Sequence, residues 1–327
     1  MQSWPLLLTL VVRCGGLLIQ EARWDLGKQE VAGDIAEQPQ DDGGALQPGP
    51  FKNIVLAVHC RAPSPDAQRA AEVCRARKRL FEPYKKHFAR VVYLTEQECP
   101  RHPSDVHKCM GELMNKEGAQ RDGIVYMHFN AFLSVTHMRG IFDKEMMAAP
   151  GEDMRCRLTE KMRLSHCKWE RWVPGLAQRY QHAIGRVMQE HQGELELADE
   201  QHVWLGRDDL FYIPHKLYYV YKNLTQPFIH YGVHHEITGP TVRRLMEQLT
   251  TVEDVNLNCR SQCCERLELA EVSAEDFRCG HRATSKNTTM QDNLIEMVNE
   301  RQSEEELDGS DEPDWHQLLR VVNVLTQ

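Results

Sequence analysis

Apolar residues in this chain gather into short continuous runs, and the stretches between the runs carry them at helical spacing. Asn53-Ile-Val-Leu-Ala-Val-His-Cys60 is the first run, rich in β-branched residues, and it predicts a strand buried on both faces. From Ala67 to Phe88 apolar or small residues recur with a helical period, and lysine and arginine fill the remaining face. Ala89-Arg-Val-Val-Tyr-Leu-Thr95 then predicts a second buried strand, residues 105–117 a helix, and Asp122-Gly-Ile-Val-Tyr-Met-His-Phe129 a third strand. Such alternation favours right-handed crossovers and a largely parallel sheet.

Beyond a charged middle section the pattern resumes. A helix is expected over 175–192 and a strand at Asp209-Leu-Phe-Tyr-Ile213, closed by Pro214. Two further helices are expected, His215 to Asn223 and Thr241 to Leu249, the second with Pro240 in its first turn. The expected fold is therefore α/β, with a mostly parallel central sheet, flanking helices and a Rossmann-like arrangement, over residues 51–282.

The ends have a different character. The apolar run Pro5 to Val12 has the length of a signal-peptide core and is too short to span a bilayer, so residues 1–22 are expected to be a cleaved signal or a short anchor. Residues 23–50 are rich in Gln, Asp, Gly and Pro and read as a flexible linker. Residues 283–327 form an acidic tail, with Trp315 to Leu325 as a short amphipathic helix.

Charge and cysteine content narrow the setting. The net charge of -9 would repel a polyphosphate backbone, which argues against nucleic acid as a partner. Of 11 cysteines, Cys14 lies in the apolar leader and the remainder are even in number, a load suited to an oxidising compartment. The triplets Asn223-Leu-Thr225 and Asn287-Thr-Thr289 match glycosylation acceptors and point to the same route, the Golgi lumen or secretion. Membrane contact is expected only through an N-terminal anchor. Cys259, Cys263, Cys264 and Cys279 lack the paired knuckles of a structural zinc site and are expected to form disulfides. No nucleophile elbow, P-loop or dinucleotide glycine pattern appears in the sequence.

Three segments carry the candidate chemistry. They are Asp122-Gly-Ile-Val-Tyr-Met-His-Phe-Asn130, Trp204-Leu-Gly-Arg-Asp-Asp-Leu-Phe-Tyr-Ile-Pro214 and His234-His-Glu-Ile-Thr-Gly-Pro-Thr241. In this order they resemble a nucleotide-sugar-dependent glycosyltransferase of the GT-A type over roughly residues 51–282. In that family an early β-α-β half holds the nucleotide, a strand ends in an acidic metal motif, and a later segment supplies acceptor-side acids and sometimes a histidine to the metal.

The resemblance implies a nucleotide-sugar donor near Val58, a divalent cation such as manganese or magnesium, and a glycan or protein acceptor. At the position of the acidic motif stands His128-Phe-Asn130, an imidazole and an amide, which are poorer ligands for a hard ion. His128 and Asn130 are therefore candidates for cofactor and metal contact, or simply polar groups at the rim of the sheet. Asp208 and Asp209 are adjacent, so on an extended backbone only one of them enters a cleft. Asp209 and Glu236 are the candidate catalytic carboxylates, with a helix cap or solvated turn as the competing role for Asp209. His234 and His235 are candidate metal ligands, although neighbouring histidines seldom converge on one ion, and Glu236 equally suits a helix start. Two other functions stay open: a non-catalytic relative acting as a binding or assembly protein, favoured by His128-Phe-Asn130, and a metal-dependent hydrolase centred on His234, His235 and Glu236.

Overall fold

The computed structural model describes residues 51–60, 78–95, 105–138, 141–161, 174–195 and 201–260, shorter stretches between 163 and 169 and between 267 and 281, and the single positions Arg75, Cys99 and Ile295. The expected leader, the linker, nearly all of the acidic tail with its helix, and much of the helix expected from Ala67 lie outside these residues. Arg75 and residues 78–81 of that span are helical.

In chain order the strands are β1 (Ile54–His59), β2 (Arg90–Leu94), β3 (Gly123–His128), β4 (Phe132–Leu133), β5 (Met147–Ala149), β6 (Met154–Leu158), β7 (Leu164–Ser165), β8 (His202–Leu205), β9 (Leu210–Pro214), β10 (Asp254–Asn256) and β11 (Cys279–Gly280). The long helices are α1 (Asp105–Glu117), α2 (Pro174–Glu190), α3 (Tyr218–His230) and α4 (His235–Leu249). A six-stranded sheet in the order β10-β5-β9-β3-β1-β2 forms the centre, and β7-β6-β8 and β4-β11 make smaller sheets beside it. β1 pairs in parallel with β2 and β3, β10 in parallel with β5, and β9 runs against both β3 and β5. The sheet is mixed but mostly parallel, as the sequence pattern predicts.

Strand periodicity divides the core into two layers. Val55 and Ala57 of β1 share one layer with Ile124, Tyr126, Phe211 and Ile213, beneath apolar faces of all four long helices. Ile54, Leu56 and Val58 share the other with Val125, Met127, Leu210 and Tyr212, covered by Leu80, Phe81, Tyr84, Phe88 and the β4-β11 region. Strands buried on both faces need continuous apolar runs, which is why β1, β3 and β9 stand out in the sequence.

Helix boundaries depart from expectation where tertiary contacts decide them. The helix expected over His215 to Asn223 is a 3-10 turn, His215–Leu217, followed by α3, which continues to His230 through Pro227. The helix expected from Thr241 begins six residues earlier, at His235, so Pro240 lies inside α4. A proline there has no N–H to offer the carbonyl of Glu236. The N–H of Gly206, in the β8–β9 connection, donates to that carbonyl at 3.1 Å instead. A Cβ on Gly206 would lie 2.9 Å from Pro240 Cγ, so only glycine allows this approach. The helix start is thereby fastened to the loop that carries Asp208 and Asp209.

Three disulfides tie outlying segments down: Cys99–Cys109, Cys156–Cys167 and Cys259–Cys279. Cys60 is also disulfide-bonded. The Cys259–Cys279 pair agrees with the disulfide reading of that cluster over a zinc knuckle. Among the described residues, no helix is long and apolar enough to cross a membrane.

Candidate functional site

His59 ends β1 and His128 ends β3, so parallel pairing sets the two side by side at the carboxyl edge of the sheet. Their rings lie 6.2 Å apart, and His59 Nδ1 is 2.8 Å from the Tyr126 hydroxyl. β9 starts at this same edge because it runs the other way. The His128 N–H donates to the Asp209 carbonyl at 2.7 Å, adding one step to the ladder in which Met127 faces Leu210. Cross-strand neighbours share a face, which brings the Asp209 carboxylate to 3.9 Å from His128 Nδ1.

A third group comes from far along the chain. His281 follows β11, which pairs with β4 just after the turn that closes β3. Its Nε2 lies 3.4 Å from Asp209 Oδ2. Ligand atoms of His128, Asp209 and His281 all lie within 4.8 Å of one another, the one such convergence of three metal-capable groups among the described residues. The side chains are 20%, 17% and 16% exposed, so the cluster opens to solvent and to a ligand. Two imidazole nitrogens and one carboxylate oxygen suit a borderline divalent ion such as cobalt or zinc better than a hard one such as magnesium, with manganese between them.

Asp208 lies in different surroundings. It is fully buried, its Oδ1 accepts from Arg243 at 2.8 Å, and its Oδ2 lies 3.3 Å from His107 Nε2 and 3.9 Å from His235 Nδ1. Arg243, also buried, reaches Asp254 at 2.9 Å and Asp153 at 3.3 Å, and Arg244 adds a contact to Asp153 at 3.6 Å. Burial pushes the Asp208 carboxyl up to about 7, against the pull of Arg243. It also pushes His107 down to about 3 and His235 well below its ordinary value. Burial alone would lower Arg243, but the three carboxylates around it raise it further. Three buried acids around one guanidinium cannot all ionise cheaply, which fits the upward shift of both Asp208 and Asp254 by burial. Glycine makes room here as well: a Cβ on Gly239 would meet Asp208 Oδ1 at 2.1 Å.

The remaining sequence candidates fall elsewhere. Val58 is a core residue of β1, and Asn130 lies in the turn after β3, outside the cluster. His234 caps α4, its Nδ1 accepting from the N–H of Glu236 at 3.2 Å, while the Glu236 carboxylate accepts from the indole of Trp169 at 2.8 Å. His235 faces Asp208 beneath the site. The structure therefore brings together His128 and Asp209 from the sequence candidates and adds His281. The sequence signal for His281 was slight: a histidine two residues past a cysteine, with no neighbouring acid or apolar run. His107, Asp153, Arg243 and Asp254 also escaped notice, because their partners come from four separate elements. No protein-family model matches the chain, and no curated protein matches it.

Proposed function

We propose that the chain is a nucleotide-sugar-dependent glycosyltransferase of the GT-A type, acting in the secretory pathway with a divalent cation held by His128, Asp209 and His281. The observation that carries this reading is the convergence of those three side chains at the carboxyl edge of β1 and β3, where open α/β sheets bind their ligands. The arrangement parallels the expected one, in which a strand end and later segments, one bearing a histidine, share the metal. Disulfides suit the oxidising setting that the reading requires. A divalent cation held by His128, Asp209 and His281 would supply charge neutralisation for a departing diphosphate.

The chain's own contribution is positional and electrostatic. Asp209 supplies the negative charge between two imidazoles, and its backbone bond to His128 fixes the two ligands relative to each other. Neutral imidazoles in place of a second carboxylate would leave a cation held there with more residual positive charge. Glu236, engaged by Trp169, receives no step in this reading.

The replacement of paired acids by His128-Phe-Asn130 favours a second reading, a non-catalytic relative that retains the sheet as a binding or assembly protein. A thermal-shift panel on the full chain, made in an oxidising compartment, separates the two: nucleoside diphosphates are added with and without manganese. A manganese-dependent rise with one nucleotide supports the transferase. A flat panel from well-folded protein supports the binding protein.

A further inference from the structure

His281 reaches the cluster on a short support. The strand that delivers it, β11, has two residues, paired with Leu133 and Phe132 of β4. On its other side the N–H of Arg260 donates to the Cys279 carbonyl at 2.8 Å, and the N–H of His281 donates to the Arg260 carbonyl at 3.4 Å. Arg260 is itself placed by its neighbour Cys259, whose N–H donates to the Pro150 carbonyl at 2.7 Å, just beyond β5 of the central sheet. The covalent link from that anchored point to the His281 segment is the Cys259–Cys279 disulfide, buried at Cys279 and closing a sequence separation of 20.

We infer that Cys259 and Cys279 are positioning residues for the cation site: their disulfide holds His281 as a ligand, so that metal affinity depends on a bond formed between two segments far apart in sequence. This rests on the reading of His128, Asp209 and His281 as a cation site. Besides the disulfide, the segment is held by the two strand pairings, the two backbone bonds to Arg260, the Ser134 N–H on the Arg278 carbonyl at 2.8 Å, the Arg260–Asp276 ion pair and the burial of Phe277, a smaller support than a central strand has. Closing the intervening loop removes chain entropy that those bonds would otherwise have to oppose. His128 and Asp209 need no such help, because His128 ends the central strand β3 and Asp209 directly precedes β9, joined to it by the backbone bond at 2.7 Å. Loss of the disulfide therefore removes one ligand of three and spares the other two.

Cobalt(II) titration of the full chain, read by its visible absorption and by calorimetry, tests this through a double-mutant cycle. Cys259→Ser/Cys279→Ser is expected to weaken cobalt binding by about tenfold or more, the scale of losing a supporting group around a metal. His281→Ala is expected to weaken it at least as much, and adding the serine pair to His281→Ala is expected to change nothing further. Cys156→Ser/Cys167→Ser, which removes a disulfide at the small β7-β6-β8 sheet, is expected to leave cobalt affinity and spectrum as in the wild type. If the serine pair does not fold, Cys259→Ala/Cys279→Val fills the same space with carbon and takes its place in the cycle. Wild-type affinity in the folded disulfide-free chain, or additive losses in the cycle, overturns the positioning role while leaving the cation site standing. Absence of cobalt binding by the folded wild type overturns both.

Discussion

Asp208 and Asp209 are neighbours in sequence and opposites in circumstance. Asp209 lies at an open edge, within reach of two histidines that are partly exposed. Asp208 lies in a dry interior, shared by Arg243, His107 and His235, with every side chain supplied by packed helices or loops. The difference shows how two adjacent carboxylates, in the loop that bends just before β9, take two settings: one faces the partly exposed histidines and the other turns inward, where it holds the loop. A buried ion network adds little net stability over a well-packed apolar one, but breaking it is costly, which makes the interior carboxylate sensitive and the rim carboxylate tolerant.

Arg243→Leu attacks the interior half most severely, because it leaves Asp153, Asp208 and Asp254 without their shared cation. We expect a loss of about 3–5 kcal/mol in urea denaturation. Next comes Gly239→Ala, whose new methyl group meets the Asp208 carboxylate. It is expected to cost about 1–3 kcal/mol, and the cost should shrink when Asp208→Ser is introduced with it.

Asp209→Asn attacks the rim half instead. Divalent-ion affinity in calorimetry should fall by about tenfold or more, whereas unfolding free energy should change by less than about 1 kcal/mol. A large stability loss in Asp209→Asn with unaltered ion binding would erase the contrast between the two residues.

The last contrast is a dependence on pH. Asp208 ordinarily titrates near 3.8 and in the fold near about 7, so the folded chain binds more protons than the unfolded chain between these values. The contribution of Asp208 is therefore present at low pH and lost as pH rises toward about 7. Asp208→Asn removes that slope, and its stability relative to wild type should improve from about pH 4 to about pH 7 and level off above. His107 works in the opposite sense: its folded value of about 3 lies below the ordinary 6.5, so its contribution is present above 6.5 and lost on acidification. Denaturation of Asp208→Asn and wild type at matched pH values isolates the Asp208 part.

The fold was legible where local pattern and tertiary burial agree. β1, β2, β3 and α1 have short apolar runs or clear helical spacing, and the structure places them within a residue or two of expectation. α4 was legible only in its second half, because a proline usually marks a helix start. Its first turns depend on the Gly206 N–H replacing the bond that Pro240 cannot make. In the site, the divergence of Asp208 from Asp209 was anticipated from their adjacency, although the pair lies in the loop before β9, with a bend at Asp209, rather than on the strand itself. His281 could not, since a two-residue strand and a disulfide across 20 positions deliver it and neither leaves a local pattern. Arg243 was hidden for a related reason: its charge lies on a helix whose polar face, in isolation, looks like ordinary solvent-facing surface.

The most direct measurement is calorimetric titration of manganese into the disulfide-intact full chain, with and without a nucleoside diphosphate, for wild type and Asp209→Asn. The account predicts saturable one-to-one binding by the wild type, strengthened by the nucleotide and weakened about tenfold or more in the folded variant. No binding by the folded wild type, or equal binding by both proteins, would contradict it.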